Sequence, residues 1–147
     1  MAYTKVIDKC FGDPAIHELQ VGEAVTPGHL VEVIAGPKIQ KHSTAGGKCT
    51  KSFAIEQTGI GNTIATASGA TDFIPFVVAR PGDIIIGRLK ASENVSVGDW
   101  VESAGDGTLR KLVADTSAGT IVVGSLIGQV LAASNTSSVV LIPVLIC

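Results

Sequence analysis

The chain has 147 residues and a formal net charge of −2, with 46% apolar, 16% charged and only 4% aromatic residues. One domain is the default at this length, and so low a charge, against about 25% in an ordinary soluble domain, predicts that part of the surface is hidden in a subunit interface. Residues 1–74 hold six Lys+Arg and seven Asp+Glu, and residues 75–147 hold five and six. That even spread argues against a dedicated polyanion binder with a basic face, though a local patch stays open.

Taken in chain order, residues 1–12 are expected to form an N-terminal arm ahead of a single β-rich domain at 13–147. The opening MAYTKVIDKCFG has no apolar core of signal-peptide type, so synthesis in a cytoplasm is the expectation. Ala15–Gln20 is the one short helical candidate. Beyond it, short runs of Val, Ile, Thr and Leu alternate with Gly, Pro, Asn and Asp, which is strand and turn chemistry. Strands are expected at Leu30–Ala35, Ser52–Gln57, Ile74–Ala79, Ile84–Leu89, Trp100–Ser103, Leu109–Val113, Ile121–Ala132 and Val139–Ile146. Many short strands with frequent turns predict a small β-barrel or β-sandwich.

A local device recurs. Val21-Gly22-Glu23-Ala24-Val25, Pro81-Gly82-Asp83-Ile84-Ile85 and Val97-Gly98-Asp99-Trp100-Val101 share a turn residue, Gly, an acid, any residue, then Val or Ile. Glycine gives the turn its backbone freedom, the acid can accept a hydrogen bond from turn N–H groups, and the β-branched residue starts a buried strand. Residues 36–51 carry Lys38, Lys41, His42, Lys48 and Lys51 with no acid, and residues 58–72 are small and polar. Both read as long loops.

ENVSVGDWVESAGDGTLRKL, at 93–112, could be a metal or phosphate loop, but it reads better as a hairpin whose turn is Ala104–Gly107. Trp100 is expected to be a core or subunit-interface anchor, and Arg110 and Lys111 to point to opposite faces of their strand. The closing run VVLIPVLIC is too short to span a membrane, which takes about 20 residues. Pro143 within it belongs at an edge or bulge. An edge this apolar must be covered by a neighbouring segment or subunit.

No motif for catalysis or cofactor binding emerges. GIGNTI at Gly59–Ile64 and AGGKCT at Ala45–Thr50 lack the strand–turn–helix context of a phosphate loop. His17, His29 and His42 lie at no ligand spacing, and SAGDGTL supplies a single oxygen ligand where a calcium loop needs several. Cys10, Cys49 and Cys147 are odd in number and unrelated in spacing, so they are expected to be reduced, small buried residues and not a disulfide framework. No cofactor, no metal, no membrane and no direct nucleic-acid partner is expected, and the chain is not read as an enzyme.

The order of four segments is informative. FAIEQTGIGNTI at Phe53–Ile64, ARPGDIIIGRLKASENVSVGDWVESAGDGTLRKL at Ala79–Leu112, IGQVLAA at Ile127–Ala133 and VVLIPVLI at Val139–Ile146 together resemble the capsid cement, or head decoration, proteins of tailed bacteriophages. The resemblance covers roughly residues 50–147. It departs in the more polar loop at 58–72 and at Ala132, where an acid is frequent. It implies a β-tulip-like domain with an extended N-terminal arm and long loops. Such a domain would assemble as a homo-oligomer, a trimer in preference to a dimer, on the outer surface of the phage head, where it would bind and stabilise the lattice of the major capsid protein. Candidate capsid contacts are Ala2, Tyr3, Thr4, Lys5, Val6 and Ile7, together with Lys38, Lys41, Lys48 and Lys51. Trp100 and Pro143 are the candidate core or interface anchors. For the first segment, an arm that adds a strand to a partner sheet and a frayed terminus fit equally. The alternative function is a ligand- or carbohydrate-binding β-barrel on a virion or cell surface, for which the aromatic supply is poor.

Overall fold

A computed structural model of the chain describes residues 2–113 and 124–147. Among these, one 3-10 turn, Thr58–Ile60, is the only helical element, and no helix is long and apolar enough to cross a membrane. The strands are β1 (Ile7–Lys9), β2 (Ala15–Val21), β3 (Leu30–Ile34), β4 (Lys38–Lys41), β5 (Ser52–Ala54), β6 (Phe73–Val78), β7 (Ile84–Leu89), β8 (Asn94–Val95), β9 (Trp100–Ser103), β10 (Leu109–Lys111), β11 (Gly128–Val130), β12 (Ser134–Asn135) and β13 (Val140–Ile146).

They close into two small rings. The first is the barrel β2-β4-β3-β5-β6. The second follows the order β7-β10-β9-β11-β13, and β13 pairs back onto β7, so this sheet also closes on itself. β1 adds to the edge of β7, and β8 with β12 forms a separate two-stranded ribbon. Closure removes the open edges that make apolar strands a liability.

Side-chain alternation explains how the rings become one domain. Val31, Ala54 and Phe76 point into the first ring, with Val21, Ile39 and Ile74. Their chain neighbours Leu30, Phe53 and Val77 point the other way and join the core of the second ring, with Ile85, Leu89, Val101, Leu109, Val130 and Val144. β3, β5 and β6 therefore form a wall buried on both sides. Each large apolar side chain so buried contributes roughly 1.5–3 kcal/mol. Gly87 of β7 leaves room at this wall, since a Cβ there would stand 2.8 Å from Leu109 Cδ1 and 3.5 Å from Phe53 Cε1.

Four expectations are corrected. Ala15–Gln20 is not helical. It lies in β2, paired along its length with β6 from Ala15↔Val78 to Gln20↔Phe73. Residues 36–51 are not wholly a loop, because Lys38–Lys41 forms β4. The expected strand at Ile121–Ala132 is confined to Gly128–Val130 among the described residues, and Ile121–Val123 lie outside them. Pro143 is not at a sheet edge, because β13 runs between β7 and β11. Its carbonyl accepts the Leu131 N–H at 2.9 Å, while β11 stops at Val130, so the donor that proline lacks falls past the end of that ladder. The covered edge expected for this strand is supplied by its own chain.

Candidate functional site

The candidate contact and anchor residues do not gather at one site. At the N-terminus, Val6 is fully buried and its N–H donates to Glu56 Oε2 at 3.1 Å. Ile7 begins β1, which pairs with β7. The Phe11 N–H donates to Asp83 Oδ1, and the Arg80 guanidinium donates to the carbonyls of Phe11 and Asp13, both at 2.8 Å. Val6 and Ile7 thus belong to the fold's own sheet. Of the expected arm, Ala2–Lys5 precedes it, with Tyr3 half-buried against the core and Ala2, Thr4 and Lys5 exposed.

The four lysines are not gathered into one patch. Lys41 Nζ lies 3.6 Å from Glu23 Oε2, and its stem runs beside Gly107. Lys48 lies beside Gly124, and Lys51 Nζ donates to the Cys147 carbonyl. Lys38 stands in register with Gln20 on β2 and Ile34 on β3.

Trp100 and Pro143 come together on one surface, the outer face of the second ring. Trp100, Gln129 and Leu145 form a row across β9, β11 and β13. Leu131 and Pro143 lie in the next row. Trp100 is 39% exposed, which corrects the core reading of this residue. Leu131, Leu145 and the turn residue Val97 are also exposed, and Gln129 Nε2 donates to the Gly98 carbonyl at 3.0 Å. The result is an apolar ledge around a fixed amide.

The hairpin that frames the ledge is scaffold. Asp106 Oδ1 accepts the Thr108 N–H at 3.0 Å and also its hydroxyl. Partial burial pushes the Asp106 carboxyl up, but those two bonds, with Lys90 and His29 nearby, hold it below the usual carboxylate range. Arg110 pairs with Glu102 at 2.8 Å and Lys111 with Asp99 at 2.7 Å, in keeping with the opposite faces expected for the two cations. Among the described residues, no three His, Cys, Asp or Glu side chains gather as a metal site would need.

One Ser–His–acid grouping is present. His42 Nδ1 lies 2.7 Å from Ser103 Oγ, and Nε2 lies 3.0 Å from the Lys48 carbonyl and 3.8 Å from Glu32 Oε2. A carbonyl only accepts, so the proton sits on Nε2 and Nδ1 accepts from the serine. Ser103 is 0% and His42 1% exposed, which seals the pair from any substrate. It joins the chain after β4 to β9 and so ties the two rings together.

The turn device has a member that the sequence pattern missed. In Arg80–Asp83 and Ser96–Asp99, the fourth residue's N–H bonds the first carbonyl at 3.0 Å, and its carboxylate accepts the first N–H at 2.8 Å. Thr26–His29 repeats this with an imidazole, since Thr26 N–H donates to His29 Nδ1 at 3.1 Å. Gly28, Gly82 and Gly98 all take φ near +90°. The Glu23 copy differs, for its carboxylate accepts the Lys41 N–H at 3.0 Å and so ties β4 instead.

His29 makes this turn acid-sensitive. Burial lowers its pKa from 6.5 to about 4, Arg88 and Lys41 repel a further positive charge, and Asp106 opposes them weakly. Nδ1 can accept only while unprotonated. The unfolded chain then binds more protons than the native one between these values, so stability is complete above pH 6.5 and is lost as pH falls toward 4. The loss should reach about 2 kcal/mol, allowing for the ring's partial exposure. Asparagine offers an oxygen at the same reach without titrating. Urea unfolding across this pH window should show a shallower acid slope for His29→Asn than for wild type, and equal slopes would refute the assignment.

The class defined by this geometry is an all-β protein of two fused five-stranded rings with an apolar outer ledge. No family model matches the chain, and no curated protein matches it. Among solved structures, it is similar to the N base of head fiber gp8.5 of bacteriophage phi29, with a TM-score of 0.56 and 10% identity over 90% of this chain and 94% of that one. At that identity the likeness is one of fold, spanning nearly the whole of both chains.

Proposed function

We propose that this chain is a non-enzymatic structural protein of a phage virion, which binds the outer surface of the assembled head and stabilises the lattice of the major capsid protein. The observation that carries the reading is the fold shared with a head fiber base of phage phi29 across 90% of the chain. The ordered motifs between Phe53 and Ile146, which resemble those of head decoration proteins, support it independently. In this reading the Trp100–Leu131–Pro143–Leu145 ledge is the contact between copies, with a trimer favoured, and Ala2–Lys5 faces the shell. A repeating lattice suits such a module, because several weak contacts add through avidity.

Heads prepared without the protein, mixed with it and examined by electron microscopy, should gain regular surface density and hold their DNA to a higher temperature. Lys5→Glu and deletion of Ala2–Lys5 should both leave a folded oligomer that no longer cosediments with heads. Deletion through Asp8 should also cost stability, because it removes Val6 and most of β1. Heads that take up no protein at all would sink the cementing role. Binding unchanged by both N-terminal variants would move the contact elsewhere.

A further inference from the structure

The cysteines are not the buried small residues that the sequence leads one to expect. Cys10 and Cys49 are half-buried, and Cys147 is exposed. Two of the three share a site. The Cys49 N–H donates to the Gly124 carbonyl at 3.2 Å, and its Sγ stands 3.9 Å from the same oxygen. The Cys147 N–H donates to the Ile127 carbonyl at 3.2 Å, while its Sγ stands 3.4 Å from that oxygen and 3.8 Å from the Leu126 carbonyl. One four-residue stretch, 124–127, therefore holds both thiols. Lys51, two residues beyond Cys49, closes the arrangement with its Nζ 3.5 Å from Cys147 Sγ. The Cys49 thiol also feels its surroundings. Burial raises the Cys49 pKa, Lys51 lowers it, and Cys147 raises it again.

Cys49 follows Gly46 and Gly47, and Cys147 lies beyond Ile146, the last paired residue of β13. A disulfide needs Cα atoms about 4.4–6.8 Å apart, so forming one here requires the two backbones to come within that range.

We propose that Cys49 and Cys147 are an oxidative cross-linking site, joined as an intramolecular disulfide when the folded protein meets a small-molecule disulfide such as oxidised glutathione. The exposed Cys147 thiolate attacks one sulfur of the oxidant, forming a mixed disulfide and releasing one glutathione thiolate. Cys49, deprotonated, then attacks Cys147 Sγ and expels the second. Two protein thiols are oxidised, one disulfide is reduced to two thiols, and the protons lost from the cysteines end on the glutathione thiolates. The bond ties the loop after β4 to the end of β13 and so encloses the second ring, with β5 and β6 of the first, in one covalent loop. Reduced in a cytoplasm, the pair would close once outside it.

The test uses the folded wild-type protein, incubated with oxidised glutathione, alkylated without reduction and mapped by mass spectrometry. A peptide linking Cys49 to Cys147 should appear, with Cys10 alkylated. Cys10→Ser should still form the link, Cys49→Ser should hold glutathione on Cys147, and Cys147→Ser should leave Cys49 alkylated. The proposal fails if Cys49 and Cys147 are both recovered unlinked, or if either pairs instead with Cys10 or with a second chain.

Discussion

Replacing Arg110 by methionine is expected to destabilise the protein by about 3–5 kcal/mol, because it strands a buried carboxylate. Glu102 lies on the outer side of β9 yet is only 3% exposed. The loop through Gly46 covers it, and the Gly46 N–H donates to the Ser103 carbonyl at 2.9 Å. A Cβ on Gly46 would stand 3.2 Å from Glu102 Oε2, so that glycine lets the loop lie flat over the pair. Arg110 delivers Nε at 2.9 Å and Nη2 at 2.8 Å to the Oε1 oxygen. Methionine keeps much of the side-chain volume and removes the charge, so the loss measures the unpaired Glu102. Thermal unfolding should fall by roughly 10 °C for a chain of this size. The double change Glu102→Leu with Arg110→Met should recover much of that, since exchanging a whole buried pair for apolar groups is often neutral. A single-variant cost below about 1 kcal/mol would mean that water reaches Glu102.

Gly128→Ala should be comparably severe, for a steric reason. Gly128 sits in β11 between β9 and β13, in register with Val101 on one side and Ile146 on the other. A Cβ there would fall 2.1 Å from the Leu145 carbonyl oxygen and 2.9 Å from its carbon. These are backbone atoms of a strand held on both edges, so nothing can rotate out of the way. Overpacking in cores typically costs about 1–3 kcal/mol, and a clash with backbone belongs at or above the top of that range. Gly59→Ala is the control, since a Cβ at that position meets nothing within 4 Å. Denaturant unfolding should place the control within about 0.5 kcal/mol of wild type. Equal midpoints for the two variants would show that β11 can move away from β13.

Much of the strand set was legible because turn chemistry is local. Pro81-Gly82-Asp83 and Val97-Gly98-Asp99 each announce a turn whose side chain bonds its own backbone, followed by a buried strand, and both do so in the structure. The same device at Thr26–His29 bears no such mark, because its fourth residue is not an acid, whereas the turn requires only an acceptor at that reach. Ala15–Gln20 was misread because its helical preference is weak and its partner, β6, lies more than fifty residues away. KIQK was missed as a strand because Ile39 is the only residue of it that enters the first ring. The closed rings, and the wall buried on both sides, depend on register between distant strands and leave no local mark. The ledge was half visible. Trp100 and Pro143 stood out singly, but only the registers of β9, β11 and β13 bring them to one face. The cysteine pair had no sequence signal at all, since Cys49 and Cys147 lie at opposite ends of the mapped motifs.

The closing of the second ring by β13 has a consequence for the order in which the chain is made. The first ring uses only residues 15–78 and can close early in synthesis. The second cannot close until residues 140–146 exist, because β7 and β11 both wait for that strand. β1 must wait as well, since its partner β7 is translated some seventy-five residues after it. Until β13 has left the ribosome, β7 and β11 each keep one edge unpaired. The interval between the two closures is therefore the period in which a growing chain is most exposed to pairing with its neighbours.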